Sequence, residues 1–408
     1  MGLFEQVGRP DNHPNMKEYF TLEDLEGKVI LLRPDINLPL EKETLEIADD
    51  TRIREVIPTI RRICETSSLV ILAHQSRPGK WDFTSLEKHA ARIEELTGIP
   101  TKFVDDVYGE RAKKAIKNLE EGILVLDNVR KCDGEQDSKG AEEHSKNPLV
   151  TELYQLFDQF VIDAFPSAHR AHCSLMGFTW VLKSAAGYGM DEELTAMQKA
   201  IYDPQHPFLV ILGGAKYEEV CPLIPKLFDR GVDRIALVGV PGALFLRAIG
   251  KSVRGPFAPE QIKEARKVYT RYADKIELPI DIAVDDNGRK EVAIDSLSED
   301  LEPQDIGERT ADELDGLIRR AKTVVISGPP GVYEDVRFSS GTRELLNSIA
   351  RSDSYSLASG GHTSSAIRLF NVEGFSHVTT AGGAFETCLE GGKLPVVEAL
   401  KENFKRFG

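Results

Sequence analysis

Four arginines stand just past apolar runs or turn signals: Arg52, Arg77, Arg130 and Arg170. A guanidinium offers a planar fork of N–H donors, so it holds phosphate or carboxylate by paired bonds that lysine cannot copy. Acids, amides and histidines lie beside them. Asp35 and Asn37 follow Arg33-Pro34, His74 opens His74-Gln75-Ser76-Arg77, and Asn128 precedes Arg130. Any one such arginine is more simply a surface ion pair, because arginine is mostly exposed. Four of them at the ends of apolar runs argue for a small anionic ligand. His169-Arg170-Ala171-His172 places two histidines two residues apart. That spacing is open to a metal, an anion-binding turn or purely structural histidines. No third and fourth ligand follows at a recognisable spacing, which weighs against the metal.

A second set of tips is made of glycine: Gly213-Gly214, Gly239, Gly328, Gly331, Gly360-Gly361 and Gly382-Gly383. Glycine lets backbone N–H groups come close to phosphate, and helix N-termini add a favourable dipole. Lys216 follows the Gly-Gly turn of Ile211-Leu212-Gly213-Gly214-Ala215. The run is neither GxxxxGK[ST] nor GxGxxG, and by itself it leaves open a phosphate-bearing lysine or a solvent one. Residues 327–335 and 357–367 each read as strand, tight turn and helix, with Thr363 and Ser364 as helix caps. For the turn Ser359-Gly360-Gly361-His362-Thr363, nucleotide contact and simple connection stay equally open.

These tips need elements to carry them. Short apolar runs at 28–38, 68–74, 101–106, 122–130 and 159–165 predict strands. Ile53, Val56, Ile57, Ile60 and Ile63 recur at helical spacing across 49–65. Further helices are predicted at 85–98, stopping at Gly98, at 110–119 and around 147–158. A second series of strands is predicted at 206–216, 234–240, 275–284, 323–330, 355–361 and 377–383, with helices between most of them. Uniformly apolar strands alternating with helices predict parallel sheets covered on both faces. The fold class is α/β, with two Rossmann-like parallel-sheet domains. The break falls near 184–191, before a helix at 191–202. No internal repeat or low-complexity tract is visible. In open α/β sheets ligands bind at the carboxyl ends of the strands, so the arginine tips predict an anionic substrate and the glycine tips a phosphate-bearing nucleotide.

Composition narrows the field. The chain has 408 residues with 51 Lys+Arg against 66 Asp+Glu, a net charge of −15. That disfavours diffuse binding to nucleic acid or anionic membrane. The five cysteines are scattered with no CxxC, which predicts free thiols and a cytoplasmic location. The N-terminus is polar and carries no secretory core, and Gln6 breaks an acylation pattern. No apolar run reaches the roughly 20 residues of a membrane helix. Oligomeric state is not legible.

Taken in order, the segments LLRPDINLPL, DDTRIRE, AHQSRPGK, LVLDNVR, IDAFPSAHRAHCS, ILGGAK, QDIGERT, SGPPGVYE, SGGHTSSA and HVTTAGGAFETCLEGGKLPVVEAL resemble the phosphoglycerate kinase family from about residue 21 to the C-terminus. AHQSRPGK and the Gly-Gly-His form resemble archaeal members. The resemblance implies a two-domain hinge enzyme of glycolysis and gluconeogenesis. It would move a phosphoryl group between Mg-ATP and the carboxylate of 3-phosphoglycerate, with magnesium carried by the nucleotide and no metal held by the protein alone. Residues 1–186 would form the phosphoglycerate domain and 187–394 the nucleotide domain, while 395–408 would return to the first. By the motif match, Asp35, Asn37, Arg52, His74, Arg77, Arg130 and Arg170 would hold phosphoglycerate. Arg52 and Lys216 would stabilise the transferring group. Gly214, Lys216, Glu334, Gly360, Gly361, His362, Thr363, Gly382 and Gly383 would surround the nucleotide, with Glu334 at the ribose.

The chain departs from the family's pattern mainly on the nucleotide side. A second lysine is usual one turn after Lys216, where Val220 and Cys221 stand beside Glu218 and Glu219. Ser327 replaces Asn, His362 replaces Asp, Ala381 replaces Gly, and LVGVPGALFL lacks a Gly-Gly turn. On the substrate side Lys131 replaces an aromatic. These changes predict weaker nucleotide binding than in a relative with both lysines, partly recovered by a lysine at 220. The alternative reading is a paralogue that turns the anion pocket to another carboxylate or acyl phosphate, or a non-catalytic binding protein.

Overall fold

The computed structural model describes residues 18–298 and 301–408. The reading of the N-terminal segment 1–17 lies outside the described residues. Contacts gather the chain into two compact units, residues 18–195 with Lys393–Gly408 and Ala196–Gly392. The first extends to Thr195, past residue 186.

In chain order the strands are β1 (Val29–Pro34), β2 (Ser68–Ile71), β3 (Thr101–Val104), β4 (Ile123–Leu126), β5 (Gln159–Asp163), β6 (Ser184–Ala186), β7 (Phe208–Leu212), β8 (Arg234–Leu237), β9 (Ile276–Glu277), β10 (Asp281–Asp285), β11 (Arg289–Ala293), β12 (Pro303–Ile306), β13 (Thr323–Ser327), β14 (Tyr355–Ser359) and β15 (His377–Thr379).

The first unit holds a six-stranded parallel sheet in the order β3-β4-β2-β1-β5-β6. Its strands are apolar along their length because helices cover both faces: Ile30, Leu31 and Leu32 of β1 are all fully buried. Helix Thr51–Cys64 packs Ile53, Val56, Ile60 and Ile63 into this core, the stripe its spacing predicts. Helix Glu87–Thr97 ends at Gly98, whose φ of 71° is the left-handed stop expected there. The helix expected around 147–158 is instead two short pieces, Pro148–Thr151 and Tyr154–Leu156, broken at Leu153 with φ −112°. The C-terminal helix Pro395–Phe407 belongs to this unit. Asn403 fastens it, accepting from Ser184 N and donating to the carbonyls of Thr179 and Leu182.

The second unit holds another six-stranded parallel sheet, β15-β14-β13-β7-β8-β9, and a three-stranded antiparallel sheet, β11-β10-β12. The single strand expected at 275–284 is therefore two strands in different sheets. Pro279 lies at the break, where its fixed φ and missing N–H end the first ladder. Charged Arg289, Lys290 and Glu291 mark β11 as an edge strand.

The topology puts the expected tips together. Asp35, His74, Arg130 and the 163–172 segment follow β1, β2, β4 and β5, which are four neighbours in one sheet. Gly213, Gly239, Gly328, Gly360 and Gly382 follow β7, β8, β13, β14 and β15, five neighbours in the other.

Candidate active site

In the first unit Asp35 leaves the end of β1 and lies 8% exposed. Its carboxylate accepts from Arg52 Nη1 at 2.8 Å and from the Ser167 hydroxyl at 2.7 Å. Burial pushes the Asp35 carboxyl up, while the neighbouring His74 ring, the Arg52 and Arg33 cations and the Ser167 hydroxyl together pull it below its usual range. Arg52 sits in the first turn of helix Thr51–Cys64 and keeps about a third of its side chain exposed, so one edge of the fork remains open.

His74, past the end of β2, is 2% exposed. Its Nδ1 lies 3.1 Å from Arg33 Nη2. An arginine can only donate, so Nδ1 carries the lone pair and Nε2 the proton. Burial and the Arg33 charge push the imidazole well below its usual range, with Arg130 and Arg170 adding to the effect. Arg33 is itself fully buried. Its Nε donates to Ser174 Oγ at 2.9 Å, and that hydroxyl donates to Glu135 Oε1 at 2.7 Å.

Arg130 donates through Nη1 to the Ser76 carbonyl, and its buried Nε has no hydrogen-bond partner among the described residues. Burial and the like charges of Arg170 and Arg33 push its guanidinium down. Arg170 stands beside His169, with Nε 3.3 Å from His169 Nε2. His172 is pushed down to about 4 by burial and the arginines Arg130, Arg33 and Arg170. The His169–His172 turn thus joins a crowd of positive charge, which suits an anion and not a cation. Among the described residues no three His, Cys, Asp or Glu side chains gather as a metal site. Arg77 is exposed, its side chain has no partner among the described residues, and it is next to the Ser76 carbonyl that Arg130 holds.

A buried amide braces these tips. Gln75 accepts from Leu38 N and donates to Leu38 O, both at 2.9 Å, so it pins the loop that carries Asn37. Asn37 Oδ1 accepts from Ser76 N at 2.7 Å. His89 lies 3.1 Å from the Gln75 carbonyl oxygen, and Asn128 donates to the Gln75 main-chain carbonyl. Arg33, Glu135, Ser174 and Gln75 are absent from the residues expected of the site. Only Arg33 carries a sequence signal, being a charge inside a strand otherwise buried on both faces.

In the second unit Gly214, Gly239 and Gly331 line a cleft of about 240 Å³, while Gly360, Gly361, Gly382 and Gly383 are not part of its lining. Val240, Ala243, Leu246 and Ile282 give it an apolar lining, while Gly214, Glu334 and His362 border it. His362 Nδ1 stands 3.4 Å from the Tyr333 hydroxyl and 3.6 Å from Glu334 Oε1. Two glycines here serve packing: a Cβ on Gly328 would come within 2.3 Å of the Gly213 carbonyl carbon. Gly361 and Gly382 face open space instead, which leaves room for a ligand. Lys216 extends into solvent, 90% exposed, with Glu386 Oε1 at 3.9 Å.

A family model described as phosphoglycerate kinase matches residues 21–392. The chain belongs to the phosphoglycerate kinase family. It is 39% identical over 404 residues to phosphoglycerate kinase 1 of Methanosarcina acetivorans, spanning 96% of this chain and 97% of that one. It is likewise 39% identical over 403 residues to phosphoglycerate kinase of Archaeoglobus fulgidus, spanning 95% and 98%. The crystal structure of phosphoglycerate kinase from Pyrococcus horikoshii OT3 superposes with a TM-score of 0.83 at 32% identity, over 95% of this chain and 100% of that one.

Several departures from the phosphoglycerate kinase pattern look different in three dimensions. Val220 and Cys221 are 5% and 4% exposed and open the buried face of helix Val220–Asp229. A lysine at 220 would enter the core, so the expected recovery of charge there does not follow. Ala381 is 2% exposed, so its methyl points inward and not at the tip a phosphate would meet. Lys131 pairs with Asp127, a carboxylate 2% exposed in side chain, so the replaced aromatic is a new ion pair. Thr363 does not cap helix Gly361–Leu369. Its hydroxyl accepts from Gly328 N at 2.9 Å and ties the β13 and β14 tips together. The 327–335 turn runs directly into a single 3-10 turn, Val336–Phe338, capped by Asp335, and the α-helix Ser340–Arg351 follows that.

Proposed function

We propose that this chain transfers a phosphoryl group between ATP and the carboxylate of 3-phosphoglycerate, running in either direction. The observation that carries this reading is the cluster at the carboxyl ends of β4, β2, β1 and β5. There Arg52 bonds the buried Asp35 carboxylate, and the neutral donor His74 lies within electrostatic reach of Asp35, Arg33, Arg130 and Arg170. Such a cluster suits a small molecule bearing a phosphate and a carboxylate. Asp35 in turn aligns the Arg52 fork.

Phosphoryl transfer asks for positioning and for neutralisation of spreading charge more than for covalent chemistry. The acceptor carboxylate is already ionised at neutral pH, so no general base is required. In this reading Arg130, Arg170 and the Nε2–H of His74 hold the phosphoglycerate, with Arg77 closing from the exposed side. Arg52 keeps its free edge for the transferring group. Gly214, Gly360, Gly361, Gly382 and Gly383 leave space for the nucleotide phosphates, with His362 and Thr363 on the same turn. Glu334 accepts from the ribose hydroxyls, and Lys216 meets the transferred phosphoryl. Magnesium arrives on the nucleotide as part of the substrate. Water must be excluded while the acyl phosphate exists. The free thiols at all five cysteines are in keeping with a cytoplasmic setting.

Paired calorimetric titrations test the reading. Mg-ATP and 3-phosphoglycerate should each bind at one site, and mutation of Arg130 should abolish only the second. A protein that binds 3-phosphoglycerate but no adenine nucleotide would reject the kinase reading.

A further inference from the structure

The nucleotide cleft contains a cation at an unexpected place. Arg254 is the sole lysine or arginine among the described residues lining it. Its side chain is exposed, and no described residue pairs with it. The cleft's carboxylates are Glu302, Asp305 and Glu334. Asp305 is already engaged by Arg289 at 3.0 Å and by Gly341 N at 2.8 Å. Glu334 stands 3.6 Å from His362 Nδ1, which leaves Glu302 to face an incoming polyanion.

An exposed loop arginine is ordinary by itself. Here its loop is built against the cleft. Tyr217 follows Lys216 directly. Its hydroxyl donates to the Pro256 carbonyl at 2.9 Å, and its ring meets Phe257 edge-on at 5.3 Å. One side chain therefore clasps the 254–257 loop to the segment carrying Gly214, Ala215 and Lys216, and both segments line the same cleft. The other anion-binding device nearby is spent. Position 220 is apolar and buried, and the N-terminus of its helix carries Glu218 and Glu219. Phosphate brought there would meet like charge.

We infer that Arg254 is a nucleotide-binding residue that supplies positive charge to this cleft from the clasped loop, and that Tyr217 positions it. The inference rests on the nucleotide reading of this cleft and names its cation. A guanidinium delivers two donors to a phosphate where lysine delivers a point charge, so Arg254→Lys keeps the charge and loses the paired contact.

Mg-ADP, adenosine and 3-phosphoglycerate are titrated into the wild type and into Arg254→Ala, Arg254→Lys and Tyr217→Phe. Arg254→Ala should weaken Mg-ADP about ten- to hundred-fold, the worth of one charge-assisted hydrogen bond. Adenosine should change by no more than about twofold, because it lacks the phosphates that feel the charge. Arg254→Lys should recover part of the loss. Tyr217→Phe keeps the ring contact but loses the clasp bond, and should raise the KM for nucleotide while kcat holds. Unaltered melting curves establish that each variant is folded. Mg-ADP binding to Arg254→Ala at wild-type strength would overturn the assignment. So would an equal loss for adenosine, which would make Arg254 part of the wall around the base. Wild-type protein that binds 3-phosphoglycerate but no Mg-ADP would overturn the nucleotide reading, and this inference with it.

Discussion

Arg33 Nη2 lies 3.1 Å from His74 Nδ1, and both side chains are buried. This contact fixes which nitrogen of the histidine can donate. With Nδ1 occupied by an obligate donor, the proton sits on Nε2, and adding a second proton would set two cations against each other. Side-chain 15N NMR should find His74 neutral at pH 7, protonated at Nε2 only, and still neutral at pH 5.5. A doubly protonated imidazole at pH 5.5 would contradict the arrangement.

The charge on Arg33 needs a partner, and the chain supplies it through Ser174 to Glu135. Glu135 Oε1 and Oε2 accept from Ser174 Oγ and Ser174 N, both at 2.7 Å. Burial pushes the Glu135 carboxyl up, while Arg33 and Ser174 work against that push. Removing one member of a buried charged network costs about 3–5 kcal/mol. Glu135→Leu should lower the unfolding free energy by that much, read as a lower urea midpoint at unchanged slope. A loss under about 1 kcal/mol would mean that Glu135 does not support the arginine.

Val220→Lys tests whether the missing lysine can simply be restored. Val220 is 5% exposed on the inner face of its helix. Forcing an ammonium there should destabilise the protein by about 2 kcal/mol or more and leave ATP affinity no better. Tighter ATP binding by this variant would show that position 220 faces the ligand.

His89 gives the site a defined acid response. Burial pushes its imidazole down to about 4. The unfolded chain takes up this proton near pH 6.5 and the folded chain does not, so His89 costs stability as pH falls from 6.5 towards 4. Asp163 and Asp305, raised to about 6 mainly by burial, act in the opposite direction over the same range. The comparison therefore needs a variant. His89→Gln can still donate to Gln75, and between pH 7 and pH 5 it should lose less stability than wild type by about 1–2 kcal/mol. Parallel losses in the two proteins would remove His89 from the acid response.

The strands that carry the tips were legible because a parallel sheet covered on both faces needs continuous apolar runs, and those runs ended at Asp35, His74, Arg130 and Gly213. The helix over 51–64 was legible by its isoleucine stripe. What escaped was contact between residues far apart in the chain. Arg33 and Ser174 are separated by 141 positions, and no periodicity announces such a pair. The clasp from Tyr217 to Phe257 escaped for the same reason. The antiparallel sheet was missed because β11 is short, charged and at an edge, so it lacks the alternation that marks a half-buried strand. The eroded appearance of the nucleotide side came from comparing residue types alone. Burial shows that Val220 and Ala381 face inward, so they bear on packing more than on ligand.

Acyl-phosphate formation tests the central claim most directly. Wild-type protein and Lys216→Ala are mixed with Mg-ATP and 3-phosphoglycerate, and hydroxylamine traps the product as a hydroxamate while 31P NMR follows ADP. Wild type should form hydroxamate and ADP in equal amounts, and only when both substrates are present. Lys216→Ala should slow this about 10²–10³-fold, the usual cost of one preorganised charge contact, while still binding 3-phosphoglycerate. Saturation of wild type by both ligands without any hydroxamate would contradict the kinase assignment.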